Sequence, residues 1–189
     1  MKSKVRFNAV IALLVFLACA CEPKKHDDTV DIAKDANDAT IEDRDDRKDA
    51  DFVVNTIAGS YAEVRLAQLA ETHATDAAVK DIARTLQADH TKVILELKSY
   101  ADKKGIAVFA NETDKDSAKI AGLLDEKKAE NFDKEWCKML KDKHQESINK
   151  FESILKKSED QELKNWVATT LPTLKHHMEM LEQQEEKGK

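Results

Sequence analysis

The stretch that decides the fold is residues 76–105, DAAVKDIARTLQADHTKVILELKSYADKKG. Its apolar residues recur at steps of three and four, which places them on one face of a helix. Thr75 or Asp76 can cap the start of this helix through a side-chain oxygen, and Gly105 is typical of a helix end. The pattern predicts one amphipathic helix over residues 76–104.

The same periodicity appears in three other segments of similar length, which span residues 49–74, 131–158 and 160–186. Each segment is about 37 Å long at the helical rise of 1.5 Å per residue. Few residues join the first segment to the second, or the third to the fourth, so that each pair forms an antiparallel hairpin. Pro172 is expected to kink the last helix, because its ring removes a backbone hydrogen bond.

The composition supports an all-α fold. The 189 residues include only 4 Gly and 2 Pro, too few for the frequent turns of a sandwich or barrel. Charged residues make up 36% and hydrophobic residues 41%, which suits amphipathic helices around one core. The net charge of −6 argues against a nucleic-acid partner, which calls for a basic face.

The connection between the hairpins is long and covers residues 106–130, of which residues 116–128 have a helical pattern. A connection of this length permits a crossover along the bundle, as in ferritin-like four-helix bundles. The competing topology is an up-and-down bundle with short loops, in which the extra segment forms a cap. We predict a ferritin-like four-helix bundle domain over residues 49–189 and leave the second topology open.

The first residues have the features of an export signal. Three basic residues precede an apolar run of about 11 residues, 8–18, which is too short to span a membrane. The run ends in Ala18-Cys19-Ala20-Cys21, and small residues directly before a cysteine resemble the bacterial lipobox. We predict a lipoprotein signal peptide over residues 1–21 with lipidation at Cys21 or Cys19. An ordinary signal peptide cleaved after Ala20 is the alternative.

Residues 22–48 are predicted to form an acidic, flexible tether, since they contain 10 acidic and 6 basic residues and few large apolar ones. Removing the three basic residues of the signal would change the net charge from −6 to −9. Such a surface is not attracted to anionic lipid, so membrane attachment would depend on the lipid anchor. Cys137 would be the remaining thiol, and we expect it to be a small apolar residue in a helix.

One polar residue interrupts the apolar face of each long segment near its middle: Glu63, His90, His144 and His177. In a bundle of hairpins the middles of the helices meet, so these side chains can converge at one level. Three imidazoles and a carboxylate suit one transition-metal ion, such as Zn, Fe, Cu or Ni. We predict these four residues as candidate metal ligands.

Two other interpretations of these residues remain open. They can form a metal-free, hydrogen-bonded polar layer that fixes the helix register, or they can fail to converge. A di-iron centre is disfavoured, because it needs Glu-x-x-His on two helices and Gln87 and Leu174 occupy the glutamate positions. The sequence has no Gly-rich phosphate loop, G-x-S-x-G or H-E-x-x-H, so we assign no catalytic residue and favour a binding role over an enzyme.

Several of these residues carry a resemblance to one bacterial family of unknown function, whose members are often labelled outer membrane proteins and have a ferritin-like four-helix fold. The resemblance covers about residues 49–181. Its most specific parts are DKH at 142–144 and TLPTLKHH at 170–177, and further matches are AEV at 62–64, QADH at 87–90 and KGI at 104–106. Trp136 departs from the family, in which we expect Tyr.

The resemblance implies an exported ferritin-like bundle, here with a lipid anchor, and its recurring polar positions would be Glu63, His90, His144 and His177. It implies an outer-membrane location facing the periplasm, and it implies no activity. The acidic residues soon after Cys21 leave surface exposure as an alternative. Two hypotheses follow. The chain is an envelope lipoprotein that binds one metal ion, or it is a metal-free module that binds an envelope protein.

Overall fold

The computed structural model describes residues 28–187, which form helices joined by short connections. The helices are α1 (Thr29–Thr40), α2 (Arg44–His73), α3 (Ala77–Lys104), α4 (Asp114–Ala121), α5 (Glu126–Ala129), α6 (Phe132–Lys157) and α7 (Gln161–Lys187), with a 3-10 turn at Gly122–Leu124. The described residues contain no strand, so the all-α prediction is confirmed. None of their helices combines the length and apolar character needed to cross a membrane.

The termini of α3 lie where the sequence predicts them. The Asp76 side chain accepts a hydrogen bond from the backbone N–H of Ala78, and Gly105 ends the helix with a positive φ of 68°. The predicted bounds of α6 and α7 agree with the structure to within one residue at each end. α7 continues through Pro172.

The long helices pack as antiparallel neighbours. α2 contacts α3 and α6, and α7 contacts the same two helices. The T-shaped rings of Phe52 and Phe151 are 5.1 Å apart, and the buried indole Nε1 of Trp136 donates to the Leu66 carbonyl at 2.8 Å. Two apolar clusters fill the interior, one around Phe151 and one around Trp136. The chain is therefore a helical bundle with its apolar core divided into two parts.

The connection between α3 and α6 runs the length of this bundle. α3 ends beside the start of α7, where Lys104 pairs with Asp160. α6 begins at the opposite end, where Asp133 accepts hydrogen bonds from the backbone N–H groups of Thr75 and Asp76 at 2.9–3.2 Å. The predicted helix over 116–128 is replaced by α4, the 3-10 turn and α5.

The prediction of a flexible tether over residues 22–48 needs correction from Thr29 onward. α1 buries Val30, Ala33 and Asn37, whose spacing of three and four residues forms a narrow buried face. Asn37 also fixes the helix to the connection, since its side chain donates to the Ala107 carbonyl at 3.1 Å and accepts from the Ala107 N–H at 2.7 Å. The acidic composition hid this packing, because only one side of α1 is buried.

The helical domain therefore begins before the predicted boundary at Asp49. α2 begins at Arg44, and the Asp43 side chain accepts hydrogen bonds from the backbone N–H groups of Asp45 and Asp46. The predicted signal peptide over residues 1–21, with Cys19 and Cys21, lies outside the described residues. Cys137 is buried, and burial raises the pKa of its thiol to about 12.

Candidate metal centre

The middles of the long helices bring the predicted polar residues together between the two apolar clusters. Each residue comes from a different helix: Glu63 from α2, His90 from α3, His144 from α6 and His177 from α7. All are buried, with 0–4% of their surface exposed. Each is held at this level because the residues around it in the helix pack into the apolar core.

The three histidines lie close enough to share one ion. Each offers one ring nitrogen, and these nitrogens all lie within 4.8 Å of one another. The ring centroids are 5.2–5.5 Å apart. A tetrahedral zinc ion with bonds of about 2.0–2.1 Å separates its ligand nitrogens by about 3.4 Å. Binding would therefore change the distances between these nitrogens by at most about 1.4 Å.

Glu63 lies beside this group of three and is not one of its mutually close members. Its Oε2 atom is 2.7 Å from His90 Nε2 and 3.5 Å from His144 Nδ1. The contact with His90 lacks hydrogen-bond geometry, and neither of the two buried atoms has a hydrogen-bond partner among the described residues. A buried carboxylate oxygen and a buried imidazole nitrogen thus lie 2.7 Å apart without the alignment of a hydrogen bond, and a shared cation would satisfy both.

The outer nitrogens of His144 and His177 both face oxygen atoms. His144 Nδ1 is 3.0 Å from the Leu140 carbonyl, and His177 Nε2 is 2.9 Å from Asp89 Oδ2. A carbonyl and a carboxylate can only accept, so an N–H must point at each oxygen. Histidines that bind metals commonly donate their second N–H to such groups.

The inner nitrogens of the same two rings face each other. His144 Nε2 is 3.1 Å from His177 Nδ1. Two neutral imidazoles carry two N–H protons in all. Both N–H groups are used as hydrogen-bond donors, one to the Leu140 carbonyl and one to the Asp89 carboxylate. The inner nitrogens then meet lone pair to lone pair, and a cation at this position, either a third proton or a metal ion, removes the repulsion.

Burial disfavours the third proton. It lowers the pKa of His177 to about 4, although the Asp89 carboxylate acts in the opposite direction. Burial also lowers the pKa of His144, and Glu63 opposes that change. For Glu63, burial opposes ionisation, but the side chains of His144, His90 and Lys143 outweigh it and lower the pKa to about 2. At neutral pH the neutral imidazoles of His144 and His177 therefore lie beside the Glu63 carboxyl group, a donor set that suits a divalent cation.

Two residues that orient the histidines were not predicted. Asp89 binds His177, and the Ser60 hydroxyl is 3.4 Å from His90 Nδ1. Asp89 directly precedes His90 and points about 100° away from it around the helix, towards α7. The position of Asp89 directly before a core histidine could have indicated in the sequence that it lies near the site. Nothing in the sequence indicates the same for Ser60.

The fold and the site together define a class: an all-helical bundle with a buried cluster of three histidines and an adjacent carboxylate. Residues 32–183 match the model of a protein family described as "Domain of unknown function (DUF4142)". The chain belongs to this family, which confirms the expected membership in a family of unknown function. No curated protein and no solved structure matches the chain.

Proposed function

We propose that the chain is a metal-binding lipoprotein of the bacterial cell envelope. In this proposal, one transition-metal ion binds between His90, His144 and His177, with Glu63 beside it as the compensating charge. The observation that carries the proposal is the 3.1 Å contact between His144 Nε2 and His177 Nδ1, two nitrogens whose rings already direct their protons elsewhere. The donor set suits Zn, Fe, Cu or Ni, and the proposed role is binding for sensing, buffering or protection rather than catalysis.

The arrangement of the helices supports a ferritin-like four-helix bundle. The pairs α2–α3 and α6–α7 are antiparallel hairpins, and the connection between them passes from one end of the bundle to the other. This is the connectivity of bundles with one long crossover, whereas a short-loop bundle has no such segment. The fold alone does not imply iron storage or oxidase activity.

The location is proposed from the sequence. Lipidation of Cys21, or of Cys19, would anchor the chain, with the outer membrane facing the periplasm as the favoured site and the cell surface as the alternative. Only residues 22–28 separate Cys21 from α1, and at about 3.4 Å per residue they reach at most about 24 Å. The bundle would therefore stand close to the membrane, and the partner would be the lipid bilayer rather than nucleic acid.

The second candidate is a metal-free module that binds an envelope protein. Its support is the set of contacts that already joins Glu63 to His90 at 2.7 Å and Asp89 to His177 at 2.9 Å. In this case the polar layer holds the helices in register, and the partner binds the outer surface.

Elemental analysis separates the two candidates. The full chain, purified without a metal-affinity column, should contain about one equivalent of one transition metal per chain. The variant His90→Gln, His144→Gln should lose it, whereas His73→Gln, His176→Gln, which changes two exposed histidines, should keep it. Absence of metal from the native chain, together with a thermal midpoint that added Zn, Cu, Ni or ferrous iron does not raise, would contradict metal binding.

A further inference from the structure

A cavity of about 280 Å³ connects the surface with the proposed metal centre. It lies between α2, α4 and α6, and its lining passes from exposed side chains such as Lys115 to the buried Glu63 and His90. The volume is near the lower end of the range for ligand pockets, which fits a small molecule.

A glycine in the middle of α2 contributes to this space. Gly59 lines the cavity, and a Cβ atom built there would have no neighbour within 4 Å. The opening therefore does not depend on a tight approach of two backbones. The cavity reaches the metal centre on the side of Glu63. Above and below the centre, the two apolar clusters fill the core.

The cavity is lined by four lysines: Lys115 and Lys119 from α4, and Lys143 and Lys150 from α6. Lys143 pairs with Asp116 at 2.7 Å, and Lys150 pairs with Glu146 at 2.6 Å. Within residues 28–187, no ion pair is found for Lys115 or Lys119. The lysines outnumber the carboxylates of the lining, in a chain whose net charge is −6.

We propose that this cavity admits a small anion, a carboxylate or a similar monovalent oxyanion or pseudohalide, which binds the metal ion at a position left open by the three histidines. The inference rests on the proposed metal site. Lys143 and Lys150 are paired with carboxylates, so the attraction for an anion comes mainly from Lys115 and Lys119, which have no ion pair within residues 28–187. Without a metal ion, the Glu63 carboxylate at the inner end of the cavity repels the same anion, so anion binding requires the metal.

The test uses the full chain loaded with Co²⁺, whose visible absorption reports its ligands, and titrated with sodium azide and separately with sodium acetate. We expect a saturable spectral change with each anion. Lys115→Gln, Lys119→Gln should weaken azide binding about tenfold, because two ammonium groups are removed from its path. The matched variant Lys134→Gln, Lys138→Gln, which changes two exposed lysines with the same spacing on α6, should bind azide as the native chain does.

The outcomes distinguish this inference from the function on which it rests. If Co²⁺ binds but neither anion changes the spectrum, or if both double variants bind azide equally, the anion site is wrong and the metal site stands. If the chain takes up no Co²⁺ or other transition metal, both proposals are wrong. An equal affinity for azide in the metal-free chain would also contradict the proposed dependence on the metal.

Discussion

His144 Nε2 and His177 Nδ1 lie 3.1 Å apart in the centre of the bundle, and both rings turn their other nitrogen towards an oxygen acceptor. The Leu140 carbonyl and the Asp89 carboxylate thereby determine which nitrogens carry protons. The fold thus preorganises two lone pairs before any ion binds, which lowers the cost of assembling a metal site.

Asp89→Asn tests whether this orientation matters. The amide keeps the shape of the side chain but has no charge, so it holds His177 less strongly. Loss of such an outer partner typically weakens metal affinity by about 10–100-fold without abolishing binding. Isothermal titration with Zn²⁺ would measure the change, and Asp81→Asn on the exposed side of α3 is the matched control. Equal affinities in the two variants would remove Asp89 from the proposed site.

The stability of the metal-free chain should depend on pH through His177. Its pKa is about 4 in the folded chain and about 6.5 when unfolded. The unfolded chain therefore binds more protons between these two pH values. The contribution of His177 to the free energy of unfolding is fully present above about pH 6.5 and is lost as the pH falls towards 4. The difference between the two pKa values of His177 corresponds to about 3 kcal/mol in the free energy of unfolding.

Urea denaturation between pH 4 and 8 would measure this dependence, since its midpoint follows the free energy of unfolding. His177→Gln should have a shallower pH dependence than the native chain, whatever its absolute stability. The exposed histidine of His176→Gln serves as the control. A variant at position 177 with an unchanged pH slope would show that this group does not carry the effect.

The long helices were predictable because their signals are local. In α3, the cap at Asp76, the apolar face and Gly105 all indicate the same helix. α1 was missed because its burial depends on tertiary contacts, above all the two hydrogen bonds of Asn37 with Ala107, and its composition is that of a solvated segment. Local propensity is a weak guide where packing decides.

The convergence of the four candidate residues was predictable from the sequence, whereas their role as metal ligands stays a prediction. A polar side chain in the middle of each apolar face predicted Glu63, His90, His144 and His177, and the structure places them at one level. The sequence contains no information on ring rotations or proton positions. Those depend on the Leu140 carbonyl, one turn before His144 in α6, and on Asp89 and Ser60, which meet the histidines of other helices only when the helices pack.

Cys21 is predicted to carry the lipid. In cells labelled with radioactive palmitate, the native chain and Cys19→Ser should incorporate label and remain in the membrane fraction, whereas Cys21→Ser should lose both. The multiple acyl chains of a lipoprotein make attachment stable, so release after loss of the anchor should be clear. Labelling lost only in Cys19→Ser would move the modification to Cys19, and no labelling of the native chain would contradict the lipoprotein prediction.

Asn37→Ala should destabilise the bundle and loosen the connection. Asn37 is 2% exposed, and loss of its two hydrogen bonds with Ala107 would leave the partly buried N–H and carbonyl of Ala107 without these partners. Such a loss costs about 1–3 kcal/mol. Chemical denaturation would measure it, and Asn149→Ala at an exposed position should change stability much less. Equal effects would show that α1 contributes little to the folded domain.

Substitution of two glycines by alanine should have opposite effects on stability. At Gly59 the added Cβ has no neighbour within 4 Å, and alanine in a helix interior is favoured over glycine by about 0.5–1 kcal/mol. Gly59→Ala should therefore stabilise the chain. Gly105 has a φ of 68°, and alanine in the left-handed conformation costs about 1–2 kcal/mol, so Gly105→Ala should destabilise it. Thermal unfolding monitored by circular dichroism measures both changes.

A stabilised Gly59→Ala chain that still binds metal would show that this glycine is not required for folding or for the metal centre. A destabilised one would mean that the wall of the cavity is more closely packed than the structure indicates.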